Sequence, residues 1–218
     1  MNSTSLSPTA RTSLQRGKKR AVTDRSALYE ILDDGRICHL GVVVDGSPMV
    51  IPTGYGRLGD TLYLHGSTGA RSLRAGSSQE VCVTVTHLDG IVLARSVFHH
   101  SVNYRSAVIY GTPRTVTEDG EKLAGLEAIT ENLAPGQWST ARQPTRKELA
   151  ATAVLALSLE EASVKVRQGP PVDDEEDYAM SLWAGVLPVR QVFGDPVPDP
   201  RLRPGTPVPP HVLAQVPG

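Results

Sequence analysis

Between Ile37 and Ala94, turn residues cut the chain into apolar runs too short for helices, and this spacing limits the region to an antiparallel β-meander. Ile37–Val44 reads as a strand and Asp45–Gly46 as a hairpin turn, a pair that accepts the positive φ such turns need. Pro48–Tyr55 is the return strand, and Leu58–Gly59–Asp60 turns into Thr61–His65. Small and basic residues then break the pattern over Gly66–Gly76, with Ala70–Ala75 as a short helix. Glu80–His87 alternates cleanly, and Asp89–Gly90 is read as a turn into Ile91–Ala94. Further on come a long strand, Tyr104–Thr117, bulged near Gly111–Pro113, and a last β-run, Val154–Leu159 and Ala162–Val166, around Glu160–Glu161.

Helices enter only as insertions. Thr23–Asp33 has Thr23 or Ser26 to cap it, an apolar face of Ala27, Leu28, Ile31 and Leu32, and Gly35 to end it. Asp119–Leu133 carries Leu123, Leu126, Ile129 and Leu133 on one face. Thr145–Ala153 opens with Thr145 and Glu148 at capping-box spacing. No strand–helix–strand alternation supports a doubly wound sheet. The fold class expected is mainly β, a small closed or split barrel with peripheral helices.

The 218 residues suit one domain with extended ends. The domain is placed at 23–190, between a flexible basic arm (1–22) and a Pro-rich, extended tail (191–218). The arm carries Arg16, Lys18, Lys19 and Arg20, and is either solvated or laid over a partner subunit. A formal net charge of −1 sets up no field toward nucleic acid or an anionic membrane. The N-terminus has no apolar signal region and no long apolar run exists, so a cytoplasmic location without a membrane partner is expected. Cys38 and Cys82 sit in strand-like apolar runs and read as reduced thiols.

Two segments concentrate chemistry. Leu62–Arg74 is a strand that ends in a turn of small residues, with hydroxyls and open amides beside Arg71 and Arg74 at the start of a helix. That combination suits a phosphomonoester, although an ordinary polar loop has the same composition. Neither a GxGxxG after a strand nor a GxxxxGK[ST] is present. The second segment, Phe98–Ser106, loads His99, His100, Asn103, Tyr104 and Arg105 onto the approach to a core strand, and such groups need partners if buried. A metal site from His99 and His100 with His65 and His87 fits no zinc spacing and has no Asp or Glu close in sequence, so no metal is expected. The pair is a satisfied surface or interface cluster, or it touches a ligand.

The stretch "YLHGSTGARSLRAG", followed by "SVNYRSAVIYGTPR", resembles the FMN-binding split barrels of the pyridoxamine 5′-phosphate oxidase-like superfamily, in the branch of nitroimidazole-resistance proteins. "LYEILDDGRICHLGVVVDGSPMVIPTGYGRLGDTLYLHG" fits the same branch, and the similarity runs from about Ser26 to Leu187. The resemblance implies FMN as cofactor, with Gly66, Ser67, Arg71 and Ser72 around its phosphate and the backbone of Ile51, Pro52 and Thr53 along the isoalloxazine. It places His65 near the ring and ribityl chain, Arg105 and Ser106 on the barrel wall against the cofactor, and Trp183 over the flavin of the other subunit of a homodimer. The family's C-terminal Arg-x-His feature has no counterpart, since Arg190 and His211 are too loosely placed, so the pyridoxamine substrate is not carried over.

The expected function is therefore an FMN-dependent oxidoreductase acting on a small-molecule substrate or electron donor. Flavin does this chemistry itself, so no triad is required, and His99 and His100 are the candidate catalytic groups. The alternatives are a flavin-binding protein without turnover, a deazaflavin-using reductase, and a haem protein with His65, His99 or His100 on iron.

Overall fold

The computed structural model describes residues 4–6, 9–13 and 17–216. A 3-10 turn, Lys18–Arg20, leads to β1 (Ala21–Val22) and helix α1 (Arg25–Asp34). Next come β2 (Ile37–Val44), β3 (Ser47–Leu58), β4 (Thr61–Ser67) and the short helix α2 (Arg71–Gly76). Strands β5 (Val81–Leu93), β6 (Ser101–Gly111) and β7 (Arg114–Thr115) precede helices α3 (Asp119–Leu133), α4 (Gln137–Thr140) and α5 (Arg146–Ala151). The chain closes with β8 (Thr152–Ser158), β9 (Ala162–Arg167), β10 (Gly185–Pro188) and α6 (Pro210–Leu213).

The strands form one antiparallel sheet in the order β1-β9-β6-β5-β2-β3-β4-β8-β7, with β10 added to β5. The sheet curls without closing, which is the split-barrel form of the mainly β class. Its inner face holds the main core, including Leu28, Ile31 and Leu32 of α1 with Leu40, Leu64, Val83, Ile109 and Leu157. A second cluster of Tyr63, Val116, Ile129, Val154 and Ala156 lies on the opposite face of β4 and β8, where α3 packs. Period-2 alternation along β4 sends Leu62 and Leu64 to the first cluster and Tyr63 to the second.

Local chemistry explains most of the elements. Asp45 (φ 50°) and Gly46 (φ 77°) both adopt left-handed backbone, the geometry of a tight β2–β3 hairpin. Asp24, one residue after the expected Thr23, caps α1 by accepting from the Ser26 amide at 2.9 Å. Thr145 and Glu148 form the anticipated capping box on α5. The turn read at Asp89–Gly90 is instead a register shift inside β5, which pairs with β6 on both sides of it. A β-bulge absorbs the extra residue, and Gly90 leaves room for Val186 of β10. The long strand after Tyr104 breaks at Gly111, and Pro113, which has no amide, separates it from β7.

Within the segment 1–22, Leu6 is buried in the core and Val22 pairs with Val164. Arg11 forks onto Glu80 and Glu161 and stacks over the Tyr110 ring. The Arg11 guanidinium, with help from Thr9, holds the Glu161 carboxyl down to about 2. Arg16 of the basic cluster lies outside the described residues. In the tail, α6 lies against α4 through a His211–Gln137 hydrogen bond of 3.0 Å. Cys38 is buried, which pushes its thiol up to about 12; Cys82 is half-buried, and both are free. Among the described residues, no helix is long and apolar enough to cross a membrane.

Candidate functional site

Strand β3 changes partner midway, and this opens a split in the sheet. Ser47–Gly54 pair with β2, whereas Tyr55–Leu58 pair with β4. Beyond the Tyr55–Leu64 pair the two strands part, because His65–Ser67 stay with β8. Among the described residues no strand covers the second edge of Ser47–Thr53 or of His65–Ser67. Each edge leaves backbone amides and carbonyls without a ladder partner, and such groups are costly to leave dry and unpaired. Ile51 packs on the core, Pro52 is exposed and Thr53 is half-buried, and all three lie on the uncovered edge of β3.

The loop after β4 closes one end of the split. The Thr68 amide donates to the Ala151 carbonyl, and the amides of Gly69 and Ala70 donate to Ser67. The next helical bond runs from the Arg74 amide to Ala70, which leaves the amides of Arg71, Ser72 and Leu73 without acceptors in the loop, and Ala70 provides no side-chain cap. A Cβ on Gly66 would come within 2.5 Å of Leu73 Cδ1, so the glycine lets α2 settle onto β4. Arg71 pairs with Asp45 of the neighbouring hairpin, both largely exposed, and Arg74 points to solvent. An exposed pair of this kind holds weakly and can be exchanged for a stronger anion.

His65 lies on β4 just past its last pair with β3 and two residues before Ser67. It lies one strand repeat beyond Tyr63, on the α3 side of β4, and pairs with Val154. Its Nδ1 is buried without a hydrogen-bond partner. Burial holds its pKa below the usual 6.5, so the ring is neutral at pH 7 with a nitrogen to offer. The folded state thus binds fewer protons than the unfolded chain just below pH 6.5. Stability is expected to be full above about pH 6.5, to fall as pH drops toward the folded-state pKa, and to level off below it. His65→Gln should remove that step from urea midpoints measured between pH 7.5 and 5, and an unchanged step would assign it to another group.

The other anticipated residues lie elsewhere. Arg105 is opposite His87 on β5, past the Thr84–His39 pair, while α2 lies toward the Val42–Val44 end of β2. Its guanidinium donates to Asp89 and Asp34 (3.2 and 2.8 Å) in a cleft of about 650 Å³ shared with Arg36 and Arg190. Ser106 pairs with Thr86 and Lys165 on the sheet. Neither touches the Ser67–Ser72 loop within one chain. Trp183 is 71 % exposed just before β10. His99 Nε2 lies 3.2 Å from Asp174 and His100 Nδ1 lies 3.0 Å from the Ser96 carbonyl, so each ring has a local partner. Sequence reasoning missed Asp45, the partner of Arg71, and Asn132, which bridges the carbonyls of Gly35 and Tyr55 at the root of the split. Asp45 showed only as a turn residue, and Asn132 only as one polar position on an amphipathic helix.

The sequence profile of the pyridoxamine 5′-phosphate oxidase family matches residues 24–166. A search of curated proteins finds no match. Among solved structures, the flavocytochrome Anf3 from Azotobacter vinelandii is 41 % identical, with a TM-score of 0.91 over 98 % of this chain and 100 % of that one. The FAD and haem binding protein from Mycobacterium smegmatis is 42 % identical, with a TM-score of 0.86 over 90 % of this chain and 97 % of that one. A putative 5-nitroimidazole antibiotic resistance protein from Bacteroides thetaiotaomicron, 21 % identical, shares the fold at a TM-score of 0.57 over 67 % of this chain and 86 % of that one.

Proposed function

Because the chain belongs to the pyridoxamine 5′-phosphate oxidase family, we propose that it binds a flavin nucleotide in the split between β3 and β4 and acts as a flavin-dependent oxidoreductase. The observation that carries this reading is the split itself: two uncovered backbone edges that meet a loop with three open amides and an exchangeable arginine. Bound flavin supplies hydride and single-electron chemistry. The Ile51–Thr53 edge offers donors and acceptors to the rim of a flat heteroaromatic ring. The amides of Arg71–Leu73, the hydroxyls of Ser67 and Ser72, and the Arg71 guanidinium suit a phosphate. His65 is a neutral donor or acceptor between the two.

These residues account for the parts common to FMN and FAD. FMN needs nothing more, whereas the relative described as binding FAD favours the dinucleotide. Releasing the cofactor by heat and chromatographing the supernatant decides between them, and purified protein without flavin absorbance would overturn the proposal. Loss of added electron donors in step with flavin reduction supports turnover; a flavin that no donor reduces marks a binding protein only.

Haem is a second reading, favoured by the two relatives above 40 % identity, described as a flavocytochrome and as an FAD and haem binding protein. The chain's available nitrogens include His65 Nδ1, buried and unpartnered, and His100 Nε2, whose ring is oriented by the Nδ1 contact to Ser96. A second nitrogen fixed by a carbonyl is the arrangement that orients metal-bound imidazoles. Loss of a Soret band in His65→Ala or His100→Ala, with the other variant unaffected, would identify the ligand.

The same proposal includes a homodimer. Val50, Phe98 and Trp183 are 67 %, 86 % and 71 % exposed, apolar side chains that a second copy of the chain would cover. Light scattering should give about 47 kDa, twice the 23.3 kDa chain. Trp183→Ala should weaken flavin retention without unfolding the core; a flavin-loaded monomer would overturn the dimer.

A further inference from the structure

The strap that follows β9 carries the acidic run Asp173–Asp177 and returns it to the β5–β6 connection. Asp173 is buried there, accepting from the Arg95 and Ser96 amides at 2.9 and 3.1 Å and pairing with the Arg95 guanidinium. Arg95 also lies over the Tyr178 ring, so this one cation is committed to Asp173 and Tyr178. The turn that follows is closed by a bond from the Asp177 amide to the Asp174 carbonyl, which puts both carboxylates on one side. On the facing element, a 3-10 turn over Val97–His99 is capped by Ser96 and presents His99.

A ligand atom from each of His99, Asp174 and Asp177 lies within 4.8 Å of the others. His99 Nε2 and Asp174 Oδ2 are 3.2 Å apart. Among the described residues, neither Asp174 nor Asp177 has a Lys or Arg ion-pair partner. Two carboxylates therefore converge on one imidazole with no permanent positive charge between them. We propose that His99, Asp174 and Asp177 bind a divalent transition-metal ion of the Zn²⁺ class, separate from the flavin site, which ties the strap to the β5–β6 connection.

The chemistry fits the donor set. Zinc takes nitrogen at about 2.0–2.1 Å and carboxylate oxygen at about 2.0–2.2 Å in a tetrahedron, so neighbouring ligands stand about 3.3 Å apart. The His99–Asp174 spacing already matches this, and Asp177 has to close by about 1.5 Å at most. Three protein ligands leave a fourth position for water. The two carboxylates balance the charge of the ion, and an imidazole donor favours zinc-like ions over Ca²⁺ and Mg²⁺, which prefer oxygen. His99 would then act as a metal ligand rather than as an acid at the flavin, so this proposal does not depend on where the flavin binds.

The test is calorimetric titration of Zn²⁺ into the full-length, flavin-loaded protein after removal of trace metal with EDTA. One equivalent should bind. His99→Ala and Asp177→Asn should each weaken binding at least 10-fold, while Glu176→Gln, in the same acidic run, should leave it unchanged. Melting curves of the metal-free proteins show whether each variant is folded, and Co²⁺ in place of Zn²⁺ should give the intense visible bands of a tetrahedral site. Zn²⁺ should also slow protease cleavage within residues 170–184 of the native protein but not of His99→Ala. The proposal fails if Zn²⁺ does not bind, if Glu176→Gln weakens binding as much as His99→Ala, or if Ca²⁺ binds equally well with and without His99.

Discussion

Gly56→Ala should lower the stability of the fold by about 3 kcal/mol, at the upper end for an overpacked site. The backbone of α3 rests directly on β3 at this glycine. A Cβ there would fall 2.3 Å from the Ala128 carbonyl carbon and 2.4 Å from the Ile129 amide nitrogen. These are backbone atoms, so relief requires moving the helix rather than rotating a side chain. That helix also holds Asn132 on the carbonyls of Gly35 and Tyr55, and Leu133 over Gly54 where β3 turns away from β4. Lifting it should therefore loosen the split as well as the fold. Urea unfolding should show a lower midpoint at unchanged slope, together with faster loss of flavin from the folded fraction. Gly194→Ala, with no atom within 4 Å of the added carbon, is the matched control. Equal midpoints for the two variants would mean that α3 is not seated as described.

Arg71→Ala should reduce affinity for the flavin nucleotide about 10–150-fold, the equivalent of a charge-assisted hydrogen bond worth about 1.5–3 kcal/mol. Riboflavin has no phosphate and should bind the variant and the native protein alike. Arg71 now faces Asp45, with the side chains 70 % and 77 % exposed, so breaking that pair costs the fold little. Asp45 competes for the same guanidinium. Asp45→Asn should thus tighten nucleotide binding slightly and leave riboflavin unaffected. Equal titrations for Arg71→Ala and the native protein would place the phosphate elsewhere.

Where structure is determined by a few consecutive residues, the sequence was a reliable guide. The limits of β2 and α3, the Asp45–Gly46 hairpin and the Thr145–Glu148 capping box all follow from local φ preference, side-chain periodicity or a cap three residues away. The same locality misled at Asp89–Gly90. An Asp–Gly pair forms a turn in isolation, but pairing with β6 on both sides of it outweighs that preference and leaves only a bulge.

The candidate site divides along the same line. The small-residue loop from Gly66 to Ser72 was legible, because open amides at a strand-to-helix turn are a local property. The split was not, since it depends on β3 exchanging β2 for β4 at Gly54–Tyr55, a matter of register between strands. Arg105 lies near the loop in no local sense: β6 carries it to the other end of the barrel, into ion pairs with Asp34 and Asp89.

The sequence by itself determined most of the strands, the capping box on α5, the small-residue loop and the family, because each rests on residues adjacent in the chain or on motifs in a fixed order. Only the tertiary structure decided which groups meet. His99 has no acidic residue near it in sequence, yet the buried Asp173–Arg95 pair anchors the strap and delivers Asp174 and Asp177 to its ring. His65 is neutral and unpartnered because of what packs around β4, and burial is a property of the assembled sheet that no run of neighbouring residues encodes.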